Sequence, residues 1–342
     1  MSASHVELPN AFYAPTLLPA IEELLSRGVG AQALEACFRR SLLELRTPLV
    51  RVPLFLSRRF WALAEEASGD PAIGLQAARH FASSLTNGLT YLFDVAPTLE
   101  SACAHFAEYF PYFNGSLCVE LHRRDGRVML SLRERGALRS GRQSREYTVV
   151  GICSLLRRKL LASGITQDPL LSIDLPGAAP VNDERYVQAL RAPLRWGAPD
   201  LVLHLDAALF GRVLAPHNAM LEGTLVGLLD QARAQTQRTL LDDAADYIAR
   251  ELPGGASFQS FCEGRHLTER TAARRLLSHG WRYSELLDEQ RRYLAVDLLE
   301  DARLGLAQIT DQLGYGDLQS FSRAFSRWYG TSPGAWRDAL PG

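Results

Sequence analysis

The segment LGLAQITDQLGYGDLQSFSRAFSRWYGTSPGAWR, residues 304–337, leaves few ways to fold. Asp317 is placed to cap a helix through the orphan amides of its first turn. Leu318, Phe321, Phe325 and Trp328 then recur at helical spacing and predict one apolar face. Gln319, Ser320, Ser322, Arg323 and Arg327 fall on or beside the other face. Gly330 ends the helix and Pro333 forbids its continuation. Upstream, a short helical run closes in a tight turn at Gly314. The pattern is a short helix, a turn, and a second helix with a displayed polar side.

The same plan occurs once more. ASFQSFCEGRHLTERTAARRLLSHG, residues 256–280, gives a short helix, a turn and a helix capped by Thr268. Leu267, Ala272 and Leu276 are expected to point inward. Arg270, Thr271, Ala273, Arg274 and Arg275 are left along the surface. Between the copies, WRYSELLDEQRRYLAVDLLEDARLG predicts a connecting helix over 284–300, about 25 Å long at 1.5 Å per residue. Two displayed helices about 34 Å apart would match one turn of duplex DNA, each entering a major groove. Arg and Gln are suited to two-pronged contacts with guanine and adenine edges, and Ser and Thr to minor base or phosphate contacts.

On these residues the C-terminal part resembles the double helix-turn-helix region of AraC/XylS-type transcription regulators. The resemblance covers about residues 240–337, and its most specific part is ITDQLGYGDLQSFSRAFSRWYGTSPGAWR. It implies DNA contacts from Thr268, Arg270, Thr271, Ala273 and Arg274 in the first motif. In the second it implies Leu318, Gln319, Ser320, Ser322 and Arg323, with Arg327 beside them. Two positions depart from the family pattern: Thr310 stands where Ala is usual, and His266 where Gly is usual. The resemblance further implies a sequence-specific regulator of promoter DNA, an activator responding to a small-molecule effector. A homodimer in contact with RNA polymerase is implied as well. An effector-independent repressor or architectural DNA-binding protein, and an enzyme with a structural helical domain, are the alternatives.

Charge neither announces nor forbids this partner. The 342-residue chain carries a net charge of −1, and residues 241–342 hold 12 Arg against 15 acidic residues. The potential that matters is on the reading face, so acidic residues such as Asp242, Asp243, Asp246, Glu285, Asp288 and Glu289 are expected behind it. Lys159 is the one lysine, which leaves Arg as the planar donor for phosphates and base edges.

The earlier chain reads as mixed α/β (α+β). Helical periodicity runs through PTLLPAIEELLSRG, SRRFWALAEEASGD, IGLQAARHF and TLESACAHFAEYFPYF, the last halting near Pro111. SLCVELHRRDGRVMLSLRERG predicts two strands about a turn at Asp125-Gly126. A helix through VVGICSLLRRKLLASG follows, then strand-like LLSIDLPG and PDLVLHLDAALF. Residues 1–229 are expected to form a regulatory and dimerisation domain, 230–238 a linker and 239–342 the DNA-binding domain. The first of these is loosely similar to the N-terminal domain often called arabinose-binding, a similarity that does not license arabinose itself.

The five cysteines, Cys37, Cys103, Cys118, Cys153 and Cys262, lie far apart without a CxxC pair. Reduced thiols in a cytoplasmic protein are the expectation, with no metal and no cofactor. No segment is continuous and apolar enough to span a membrane. The histidines are scattered, and neither a nucleophile elbow, a phosphate loop nor a zinc motif accompanies them, so no catalytic residue is proposed. His105, Tyr109, Tyr112, Phe113 and Asn114 cluster at one helix end and, with Trp196, are candidate effector contacts.

Overall fold

The computed structural model describes residues 11–47, 50–78, 88–124, 126–135, 139–180, 184–215, 217–235 and 238–340. Two compact units divide the chain, the larger holding most residues before Arg238 and the smaller those from Arg238 onward. The larger is mixed α and β; the smaller is all helical.

In the larger unit, β1 (Ala11–Tyr13) pairs with β2 (Arg51–Pro53) across α1 (Leu18–Ser26), α2 (Ala31–Phe38) and α3 (Leu42–Leu45). Then come α4 (Leu54–Ser68), α5 (Ile73–Ala77), α6 (Leu89–Val95) and α7 (Leu99–Phe113). Residues 79–81 of the IGLQAARHF stretch lie outside the described residues. Thr98 caps α7 reciprocally with Ser101, as a capping box requires. Pro111 lies in the last turn of this helix, which ends two residues later at Phe113 as expected. It removes one interior donor, but the Asn114 amide still reaches Phe110 O at 2.9 Å and closes the last turn.

The expected hairpin is present as β3 (Leu117–Arg124) and β4 (Arg127–Glu134), antiparallel with Leu121 opposite Leu130. It is followed by α8 (Arg142–Ala162), β5 (Leu170–Pro176), α9 (Glu184–Leu190), β6 (Leu194–Ala198) and β7 (Leu201–Leu205). Last come α10 (Ala207–Phe210) and α11 (Ala219–Gln235). The five strands stand in the order β3-β4-β7-β5-β6, with only β5 and β6 parallel. Val128, Leu130, Leu132, Leu201, Leu203, Leu205 and Ile173 fill the covered face. Their neighbours Met129, Ser131, Val202, His204 and Asp174 take the more open one, the alternation of a one-sided sheet. Lys159 is buried, its ammonium donating to the carbonyls of Asp94 and Ala96 at the end of α6. Burial pushes its pKa down. The chain's single lysine thus caps a helix C-terminus inside the fold. Among the described residues no helix is long and apolar enough to cross a membrane.

The smaller unit contains α12 (Leu240–Glu251), α13 (Phe258–Glu263), α14 (Glu269–Ser278), α15 (Tyr283–Glu300), α16 (Leu306–Gln312), α17 (Leu318–Tyr329) and α18 (Pro333–Asp338). Side-chain caps open five of them, from Thr239, Ser257, Thr268, Asp317 and Ser332. Phe261, Leu276, Leu286, Ile309, Leu313, Phe321 and Phe325 form the core, with Phe325 packed against Tyr329 and Trp336.

Both turns between paired helices close alike. Tyr315 N–H reaches Thr310 O and Gly314 N–H reaches Asp311 O; Leu267 and His266 repeat this with Cys262 and Glu263. Each is the Schellman ending, which needs one left-handed residue: Gly314 at φ +64° and His266 at φ +54°. His266 adopts the glycine conformation at a cost of about 1 kcal/mol. Gly314 has no such latitude, because a Cβ there would stand 2.1 Å from Leu252 O and 2.9 Å from Gly255 Cα. Gly314→Ala is therefore expected to cost about 3 kcal/mol or more in chemical denaturation. Gly316→Ala, whose Cβ meets nothing within 4 Å, is expected to change stability by no more than about 0.5 kcal/mol.

Candidate nucleic-acid interface

Along α17, Phe321, Ala324 and Phe325 are buried, whereas Gln319, Arg323, Ser326 and Arg327 are exposed and Ser320 and Ser322 half-buried. Leu318 departs from the apolar face expected of it: it is 44% exposed, at the first position of the helix and outside the Phe321–Phe325 seam. It stands instead at the N-terminal end of the polar side. Trp328 is also only half-buried, and its indole N–H donates to Asp288 Oδ2 at 3.0 Å.

Asp317 sets the geometry of this surface. Its Oδ1 accepts the Ser320 amide at 2.7 Å and its Oδ2 accepts the Ser320 hydroxyl at 2.9 Å. The Ser320 amide, first, holds the Asp317 carboxyl below the usual range. Arg323 Nη2 donates to the same Ser320 hydroxyl at 3.2 Å, so a chain of contacts lays Arg323 along the helix. Arg323 makes no salt bridge among the described residues. Arg327 differs. Its guanidinium donates to Asp288 Oδ1 of α15 at 2.7 Å, so Arg327 and Trp328 together fasten α17 to the connecting helix. Sequence reasoning placed Asp288 only as background charge; its partners lie about forty residues away and leave no local signal.

In α14, Ala272 and Leu276 are buried, Leu267 and Ala273 half-buried. Arg270, Arg274 and Arg275 are exposed. Thr268 Oγ1 accepts the Thr271 amide at 3.2 Å and donates to its hydroxyl at 2.9 Å, so both threonines build the helix start. Thr310 takes the place of Ala without disturbance: it is buried and donates to Leu306 O at 2.8 Å. The acidic residues are engaged locally. Asp242 caps with Thr239, Glu285 accepts the Arg282 amide, Asp246 pairs with Arg238, and Asp243 with Arg238 and Arg265.

The six candidate effector residues fall in three places. His105 Nε2 meets Glu222 Oε1 at 2.8 Å, and Tyr109 donates to Asp230 Oδ1 at 3.0 Å. The Arg233 guanidinium lies 5.0 Å from the Tyr112 ring centre and 3.7 Å from Glu108. These three therefore clasp α7 to α11. Phe113 is buried edge-on to Tyr13, and Asn114 accepts the Ser116 amide and bridges to Phe12, which ties the end of α7 to β1. Trp196 lies on β6, at the sheet edge opposite β3, with Tyr186 against its ring. Among the described residues no three His, Cys, Asp or Glu gather as metal ligands.

Comparison with known proteins places both units. Residues 32–214 match the arabinose-binding domain of AraC transcription regulators, and residues 261–339 a helix-turn-helix domain. The ornithine utilization regulator of Pseudomonas aeruginosa is 25% identical over 339 residues, 97% of each chain. An uncharacterized helix-turn-helix regulator of Mycobacterium bovis, Mb1430, is 45% identical over 64 residues, 19% of each chain. The crystal structure of the transcriptional regulator CdpR from Pseudomonas aeruginosa aligns over 94% of this chain and 98% of its own, at 20% identity and a TM-score of 0.42. With its first domain matched over more than half the chain and a helix-turn-helix domain behind it, this protein belongs to the AraC/XylS family of DNA-binding transcription regulators.

Proposed function

We propose that the protein is a homodimeric activator that reads promoter DNA through α17, with α14 in support, and responds to a small molecule bound by its N-terminal part. In this reading residues 1–229 regulate and 239–342 bind DNA, and the linking stretch 230–238 starts as the last turns of α11. The carrying observation is the exposed polar side of α17, where Gln319 and Arg323 stand clear of the core beside half-buried Ser322, while Ser320 orients the Arg323 guanidinium. A guanidinium so placed suits the two acceptors of a guanine edge. Arg327, spent on Asp288, is better suited to holding the helix in place. Thr268 and Thr271 act through the α14 cap, leaving Arg270 and Arg274 as that helix's contacts.

The net charge of −3 over residues 241–342 makes nonspecific attraction weak and its salt slope modest. Affinity then depends on specific contacts and on a second subunit. An effector acts by binding the two DNA-competent arrangements unequally. RNA polymerase is the proposed partner once the dimer is seated beside a promoter.

Recovery and sequencing of genomic fragments bound by the full-length protein, at roughly 0.1 M salt, tests the reading. A shared motif near promoters is expected; fragments with no common sequence would end it. Arg323→Ala is expected to weaken binding to that motif by about 1–3 kcal/mol while random duplex binding changes little. Equal losses on both would make Arg323 a phosphate contact. The double substitution Arg270→Ala, Arg274→Ala is expected to relax preference in the half of the motif that Arg323→Ala leaves intact. Unchanged preference there would remove α14 from base reading.

A further inference from the structure

Glu146, in the second turn of α8, is 4% exposed. Its Oε1 accepts the Tyr186 hydroxyl from α9 and lies 3.4 Å from Arg142 Nε. Its Oε2 is buried with no hydrogen-bond partner. The indole N–H of Trp196 on β6 is equally buried and equally without one. The Trp196 and Tyr186 rings meet edge-on, 5.1 Å between centres. One phenol therefore touches two side chains that each hold an unused polar atom, an acceptor and a donor. Such atoms are costly when nothing answers them.

The guanidiniums around Glu146 are largely committed to other partners. Arg185 of α9 is committed to Asp70 through two bonds of 2.7 and 2.8 Å. Arg145 pairs with Glu134 at 3.7 Å. Arg142 is shared between Glu146 and Glu65, the latter at 3.9 Å, and also donates to Pro71 O at 2.7 Å. Glu65 otherwise accepts only the Gln143 side-chain amide. Glu146 therefore shares its nearest guanidinium, Arg142, with Glu65, and Arg145 adds only a longer-range attraction. Burial accordingly pushes the carboxyls of both Glu65 and Glu146 up.

We propose that Glu146, Tyr186 and Trp196 form a binding site for a small organic cation bearing N–H on its charged group, a primary ammonium or guanidinium. The charged group donates to Glu146 Oε2, the oxygen that has no partner. Its body lies against the Tyr186 and Trp196 rings, whose π-faces attract a desolvated cation. The Trp196 N–H takes an oxygen of the ligand or of a bridging water. A water alone would answer Oε2 but draw nothing from the Tyr186 and Trp196 rings. A hard metal ion would need several more oxygen ligands than one carboxylate edge. As the effector site this rests on the regulatory reading above; cation binding itself does not.

Full-length protein titrated with agmatine and with butylammonium, followed by calorimetry and tryptophan fluorescence, tests the site. Saturable binding of at least one is expected, with tetramethylammonium and 1-butanol weaker by about tenfold or more because neither offers a charged N–H. Glu146→Gln keeps an acceptor for Tyr186, so folding is expected to persist while cation affinity falls about tenfold or more. Should that variant unfold, Trp196→Phe, which keeps a ring and loses the N–H, is expected to weaken binding severalfold. No saturation up to about 10 mM by either cation overturns the proposal. So does affinity that survives Glu146→Gln, or tetramethylammonium binding as well as butylammonium. Binding that leaves affinity for the DNA motif unchanged keeps the site and removes its role as effector.

Discussion

The DNA-binding unit depends on one close backbone approach. At Gly314 the turn between α16 and α17 passes so near Leu252 O and Gly255 that no side chain fits. That approach places α17 against the rest of its unit, and the Arg291 guanidinium reinforces it by donating to Leu313 O and Gly314 O at 2.8 and 2.7 Å. Once the turn is fixed, the remaining choices follow. Asp317 caps the helix, Phe321 and Phe325 enter the core, and Asp288 holds the far end through Arg327 and Trp328. The first motif makes the same turn with His266, which is exposed and clears its neighbours, so strain there costs energy without forbidding the conformation.

Local chemistry explains why this unit was legible in the sequence. Caps at Thr268 and Asp317, a left-handed turn residue and an i, i+4 aromatic pair are all written within a few residues of where they act. Thr268 and Asp317 cap as read. What sequence reasoning missed is long-range. Leu318 follows the apolar spacing, but its place at the very start of α17 leaves it outside the core. The strand β6 carries Gly197 at φ +83° and only five residues, too short and too irregular for alternation to mark.

The aromatic and histidine cluster on α7 teaches the same lesson about function. His105, Tyr109 and Tyr112 share a helix face, as their spacing requires, and a polar, ring-rich face suggests a ligand. Their partners Glu222, Asp230 and Arg233 lie more than a hundred residues later, on α11. Nothing near the cluster announces them. The contacts form a polar seam in which each aromatic or histidine meets one charged residue of α11, and only Leu225 and Leu229 of that helix are buried. Exposed or half-exposed pairs of this kind contribute little each, so α11 is held by several modest contacts and a narrow apolar strip.

That seam has a consequence for how a regulator built this way would work. α11 is the last element before Arg238, where the helical unit begins. A helix held by polar contacts exchanges them with water at small net cost, whereas one held by a broad apolar face could not shift without exposing its core side. The Glu146 cluster is of the opposite kind, buried with an unanswered carboxylate oxygen, so a cation bound there as proposed would gain by what it satisfies. Differential affinity requires such an asymmetry: one site whose occupancy changes the energy strongly, and one element whose position is weakly held. In the proposed reading the Glu146 cluster would be the first and α11 the second. Coupling between them would then require two states differing in the α7–α11 seam, each made of modest contacts.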